Sequence, residues 1–220
     1  MIPLLTGDGD APNHILLAHG AGAPMTSPFM ERIATLLAAE GLAVWRFEFD
    51  YMAGRREGEK RPPPRAERLN DEYLAAVGEV LSRLGPGRRL LIGGKSMGGR
   101  VASMVADGLH HERRIAALVC LGYPFHPPGA RTGTEVPSVT RTAHLMRLDC
   151  PALFVQGERD PFGARSTAKA LGLPPSIRFH WVHDGDHDLA PRARSGTTHA
   201  ANLAEAVRAI AAFSLGGRAL

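Results

Sequence analysis

Six short runs of almost continuously apolar residues constrain this chain most: His14–His19, Leu42–Phe49, Leu90–Gly94, Ile115–Leu121, Ala152–Gln156 and Ile177–Val182. A strand with one wet face alternates apolar and polar residues. A strand covered on both faces does not have to. Between the runs lie stretches with helical spacing. Phe29, Ile33, Leu36 and Leu37 follow Ser27-Pro28, a serine cap with proline in the first turn, and Gly41 ends them. Leu69, Tyr73, Val77, Val80, Leu81 and Leu84 repeat on one face before Gly85-Pro86-Gly87. Val101, Met104 and Val105, residues 164–171, and Leu203, Val207 and Ile210 supply three more helices. Strands alternating with helices predict the α/β class: about six mostly parallel strands with helices on both faces. Residues 1–12 hold at most one frayed strand. Asp50 to about Arg65 reads as a long loop, and 123–148 as irregular apart from a short helix near Arg141–Leu148.

Composition narrows the classes of function. With 220 residues, the expectation is one domain over 1–220. A net charge of +4 from scattered arginines, with no block of like charge and no basic helix interleaved with aromatics, predicts no nucleic-acid partner. No apolar run is long enough to span a membrane, and no signal peptide is readable at Met1–Asp8, so a cytoplasmic protein is expected. Cys120 and Cys150 lie at the edges of apolar runs and read as buried thiols of a reducing compartment. There is no CxxC and no HExxH, and neither metal nor cofactor is expected.

The chemistry starts at Gly93-Gly94-Lys95-Ser96-Met97-Gly98-Gly99. A G-x-S-x-G pattern here sits between an apolar strand and a helix. A sharp strand-to-helix turn strains its serine and leaves no room for bulk two residues to either side, which selects Gly94 and Gly98. The serine also stands at a helix N-terminus, where free N–H groups favour developing negative charge. Ser96 is therefore the candidate nucleophile.

Serine needs a base, and the base needs an orienting group. The later strand ends supply both. Asp160 follows the strand 152–156, and His187 follows the strand 177–182 on a loop loosened by Gly185. His183 competes with His187 but stands at the strand edge. Glu158 and Asp186 compete with Asp160, and Asp160 before Pro161 also fits a helix start. The order Ser, Asp, His is that of α/β hydrolases. An acyl-transfer oxyanion needs two preorganised donors. The Met97 amide is one, and the Gly-rich loop His19-Gly20-Ala21-Gly22 offers Ala21, with Gly22 as fallback. His19 reads as a brace for that loop.

Segment 123–148 reads as a small cap, with Tyr123, Phe125, Leu145 and Met146 as candidate substrate contacts. The arginine-rich stretch 51–68 forms another wall. Its six cations against three glutamates either favour an anionic substrate or make a solvated surface.

Taken together, His19-Gly20-Ala21-Gly22, Gly94-Lys95-Ser96-Met97-Gly98-Gly99-Arg100, Gln156-Gly157-Glu158-Arg159-Asp160 and Gly185-Asp186-His187-Asp188 resemble the α/β-hydrolase superfamily. Arg46-Phe47-Glu48-Phe49, Tyr51–Arg56 and Leu121-Gly122-Tyr123-Pro124-Phe125-His126 resemble a compact dienelactone-hydrolase-like branch. That branch is related to a testis-expressed hydrolase-like protein and to a subunit of a chromatin acetyltransferase complex. The resemblance implies a minimal fold with N-terminal antiparallel strands reduced or missing. It implies Ser96, Asp160 and His187 as triad, Met97 and Ala21 as oxyanion hole, and a small-molecule acyl substrate. Dienelactone hydrolases use a cysteine where this chain has Ser96, so their substrate does not transfer. A serine hydrolase of carboxylic esters is the leading expectation. A hydrolase-like binding or scaffold protein with an idle site is the alternative.

Overall fold

The computed structural model describes residues 2–127 and 138–216. In chain order the elements are β1 (Leu4–Thr6), β2 (Asn13–Ala18), α1 (Pro28–Ala39), β3 (Ala43–Phe47), α2 (Asp50–Arg56), α3 (Asn70–Leu81), β4 (Arg89–Lys95) and α4 (Met97–His111). There follow β5 (Ala117–Leu121), α5 (Val139–Thr142), β6 (Ala152–Gly157), α6 (Arg165–Leu171), β7 (Ile177–Val182) and α7 (His199–Ser214). One seven-stranded sheet runs β1-β3-β2-β4-β5-β6-β7. Only β1 is antiparallel, paired with β3. The six expected strands are all present. The seventh is the three-residue β1, a remnant of the reduced N-terminal antiparallel part.

Burial on both faces explains the continuous apolar runs. Along β2, Leu16 and Ala18 face one core, with Phe47, Val77, Val101 and Phe154. Ile15 and Leu17 face a second core, packed under α1 and α7 through Ile33, Leu37, Leu203 and Val207. All six residues of β2 are buried, so neither set is dispensable. Both cysteines are buried and free.

The strand order reverses between β3-β2 and β2-β4, which opens a crevice above the carboxyl ends of β2 and β4. Two expectations need correction. Residues 50–56 are the helix α2, not loop. Its internal Gly54 argues against a helix by propensity, yet a Cβ there would lie 2.8 Å from the Glu59 carboxylate, and Tyr51 and Met52 are buried. The C-terminal helix begins at His199, where the Thr198 hydroxyl accepts from the Ala201 N–H at 3.1 Å. The short helix expected near Arg141–Leu148 is α5 followed by a 3-10 turn over Ala143–Arg147. Residues 128–137 of the expected cap lie outside the described residues.

Candidate active site

Ser96 closes β4 with φ of 50° and ψ of −113°, a conformation that strains any residue with a Cβ. Its own N–H donates to the Leu121 carbonyl at 2.9 Å, and its carbonyl accepts from Arg100 N–H at 3.0 Å. The turn is locked by backbone contact. A Cβ on Gly94 would stand 2.6 Å from the Ala18 carbonyl oxygen, and one on Gly98 would stand 2.5 Å from that of His19. These distances lie far inside any contact real side chains make, so both positions exclude all residues but glycine.

The His187 ring lies above the ends of β5 and β6. Its Nδ1 is 2.9 Å from Asp160 Oδ2. Asp160 is buried, and its other oxygen accepts from Phe162 N–H at 2.9 Å. The helix start that Asp160-Pro161 suggested is not there: α6 begins at Arg165, with Ala164 as its cap residue. The rivals are engaged elsewhere. Glu158 accepts from Arg165 and from the Asp184 N–H and faces His183, while Asp186 accepts from the Asp188 and Ala190 amides. Ser96 and His187 line one cleft of about 1210 Å³, together with Ala21, Gly22 and Met97.

Four further residues position this pair. Gln156, fully buried at the end of β6, donates to Asp160 Oδ2 at 2.9 Å and to the Gly163 carbonyl at 3.1 Å, and accepts from Tyr123 N–H at 2.7 Å. Phe162 packs on the His187 ring with centroids 4.6 Å apart. Gly122, with φ of 64°, makes room: a Cβ there would lie 3.1 Å from His187 Nδ1. Lys95 is buried beside Ser96. Its Nζ donates to the His187 carbonyl at 2.6 Å, pairs with Asp188 at 3.1 Å and stands 5.2 Å over the Phe29 ring. Burial pushes this ammonium below the ordinary lysine range, and the Asp188 carboxylate opposes that shift. None of the four carries a local signature, because each acts on a residue distant in sequence. Gly122, beside the apolar strand, was the nearest to a readable signal.

The loop after β2 is braced from beneath. His19 Nδ1 lies 2.6 Å from the Gly20 carbonyl, and its Nε2 accepts the Phe49 N–H at 3.1 Å. These contacts suit the neutral Nδ1–H ring, and burial drives its pKa down to about 4. The Tyr51 hydroxyl donates to the carbonyls of Gly20 and Ala21 at 3.3 and 3.1 Å. With the carbonyls held on that side, the N–H groups of Ala21, Gly22 and Met97 have no acceptor among the described residues.

The expected substrate contacts need correction. Tyr123, Phe125 and Leu145 are fully buried in the core and do not line the cleft. Tyr123 stacks on Phe154 at 5.0 Å, and its hydroxyl donates to the Arg141 carbonyl at 2.6 Å. Met146 is 45% exposed and does not line the cleft. Apolar residues in an irregular stretch went to the nearest core rather than to the ligand space. From that region, Pro124, Thr140 and Arg141 face the cleft instead. Most arginines of 51–68 do not line it: Arg55 holds the Arg61 carbonyl and reaches the Ala21 carbonyl at 3.4 Å, Arg56 pairs with Glu48 and Arg61 with Glu59.

A mostly parallel sheet with a strained serine between strand and helix, and a buried aspartate paired with a histidine at later strand ends, defines an α/β-hydrolase-type protein. The chain belongs to the alpha/beta hydrolase domain family, which it matches over residues 11–215. Solved structures share the fold at low identity. An alpha-beta serine hydrolase homologue from Coxiella burnetii is 17% identical, with TM-score 0.66 over 97% of this chain and 90% of that one. The esterase domain of a Rhodothermus marinus protein is 17% identical, with TM-score 0.61 over 96% and 91%. A dienelactone hydrolase from Anabaena variabilis is 20% identical, with TM-score 0.59 over 93% and 88%.

Proposed function

We propose that the protein is a serine hydrolase of carboxylic esters or related acyl compounds, of carboxylesterase type, with Ser96, His187 and Asp160 as its triad. The observation that carries this reading is the shared cleft: a strained serine at a helix N-terminus and a histidine whose far nitrogen is held by a buried carboxylate. Asp160 on Nδ1 fixes the ring so that Nε2 is free to act as base. Ser96 Oγ attacks the acyl carbon and its proton passes to His187 Nε2. The oxyanion is met by the amides of Met97 and Ala21, with Gly22 beside them. Removing one such donor typically costs about 10²–10³ in rate. The tetrahedral adduct collapses, and His187 returns the proton to the leaving alkoxide. Water then attacks the acyl-enzyme by the same route in reverse and releases the acid.

Related structures support the chemistry by analogy, since one is described as a serine hydrolase homologue and another as an esterase domain. No metal-ligating cluster of three or more His, Cys, Asp or Glu occurs among the described residues, and the reading uses none. Labelling by a fluorophosphonate tests it. Wild type is expected to label and Ser96→Ala to remain blank. An unlabelled wild type, or equal labelling of Ser96→Ala, would sink the assignment in favour of a binding protein on the same fold.

A further inference from the structure

The cleft wall above α4 carries more positive charge than it neutralises. Five cations line the cleft, Arg32, Arg65, Lys95, Arg100 and Arg141, against two carboxylates, Glu67 and Asp188. Lys95 takes Asp188, and Arg100 takes Glu67. Arg65 and Arg141 pair with no carboxylate among the described residues, yet both lie close enough to Glu67 to act on it.

Two of these guanidiniums are withdrawn from bulk water, one fully and one in part. Arg100 is buried, its Nε has no hydrogen-bond partner, and an Nη bonds the Thr140 carbonyl at 3.0 Å. Arg141 is half-buried, and an Nη reaches the Pro124 carbonyl at 3.3 Å. Burial lowers the Arg141 pKa, and the neighbouring Arg100 lowers it further. Placing like charges side by side in a partly dry wall costs stability unless an anion completes the set. Guanidinium forks match carboxylate and phosphate oxygens best.

We infer that Arg100, Arg141 and Arg65 form an anion subsite, and that the substrate carries a carboxylate or phosphate some bonds away from its scissile acyl group. The helix sets the distance. Arg100 is four residues after Ser96 and stands on the same side of α4, about 6 Å further along the axis. An anion there lies beyond the acyl carbon, at the end of a short chain or a ring. The inference relies on the hydrolase reading to make this cleft the substrate site, but its test reads binding rather than turnover.

The probes are adipic acid monoamide and hexanamide, which share a chain length and differ in the terminal carboxylate. Calorimetry on the full chain at low salt is expected to show the charged amide binding about tenfold tighter or more. Arg141→Gln should remove the difference, and Arg65→Gln, an exposed position, should reduce it. Arg65→Gln keeps the test open if Arg141→Gln folds poorly. 6-Phosphonohexanamide separates the two sources of charge: whichever anionic amide binds more tightly through Arg141 identifies the group. Equal binding of charged and neutral amides by wild type, or a preference that survives both substitutions, overturns the subsite. Fluorophosphonate labelling of the same samples reports separately on the hydrolase reading. Labelling without anion preference removes only the subsite, and preference without labelling removes only the hydrolysis.

Discussion

The Ser96 turn and the His187 loop sit across one cleft and are held by opposite means. The turn is held by backbone sterics: Gly94 and Gly98 face carbonyl oxygens so closely that no Cβ fits. The loop is held by polar side chains from elsewhere, with Lys95 on the His187 carbonyl and Gln156 on the carboxylate that faces His187. At the loop's base, Arg159 and Arg192 bind Asp184. Steric exclusion by rigid backbone leaves one answer. A polar clamp is long-range, and it can be weakened in steps. The nucleophile turn should therefore fail completely or not at all, whereas the histidine loop should respond in a graded way.

Four measurements press on that contrast. The largest effect is expected from Asp160→Asn, which keeps shape but presents the wrong partner to His187 Nδ1. Ester kcat/KM should fall about 10³–10⁴-fold, with the thermal midpoint near that of wild type. A drop under tenfold would remove Asp160 from its role. On the steric side, Gly98→Ala pushes a methyl into two carbonyl oxygens and should cost about 3 kcal/mol or more in urea unfolding. A cost below 1 kcal/mol would mean the turn relaxes, and the contrast between the regions would break.

A third measurement follows acid. Burial is the main cause that holds His19 and His144 down at about 4. Unfolded histidine titrates near 6.5, so between the two values only the unfolded chain takes up these protons. Stability is complete above pH 6.5 and should fall as pH drops toward 4, by at most ~3 kcal/mol for each ring. Denaturant unfolding at pH 7 and pH 5 checks this, and a His144→Gln variant should show a shallower decline. Unchanged stability between those pH values would contradict it. The smallest effect is expected at Lys95→Met, which cuts the tie to the His187 carbonyl while leaving Ser96, His187 and Asp160 unchanged. A loss of about 10- to 100-fold in kcat/KM is expected, by analogy with the loss of groups that orient a site from behind. Little change in fluorophosphonate labelling rate would show that the loop holds itself.

Much of this was legible before any coordinates. The six apolar runs became the six parallel strands of the sheet, because burial on both faces demands continuous apolarity. The turn at Ser96 was readable because its glycine pattern falls within five residues, although the carbonyls that exclude a Cβ there belong to Ala18 and His19. The long stretch after β3 was misread because Gly54 lowers helix propensity, while the contacts that favour α2 come from Glu59, Arg61 and the core. Tyr123, Phe125 and Leu145 were misassigned to the ligand because an irregular stretch has no periodicity to say which side is wet.

The sequence by itself determined the α/β alternation, the strained serine turn and the order in which Ser96, Asp160 and His187 follow one another. Those are readable along the chain: a period of two or 3.6 residues, a glycine pattern spanning a single turn, and the order of the residues themselves. Only the tertiary structure decided that Gln156 and Phe162 frame the Asp160–His187 pair, that Lys95 reaches the His187 loop, and that Arg100 and Arg141 share one wall. Each of those pairs joins strand ends or helices that meet only when the sheet assembles, so no local pattern encodes them.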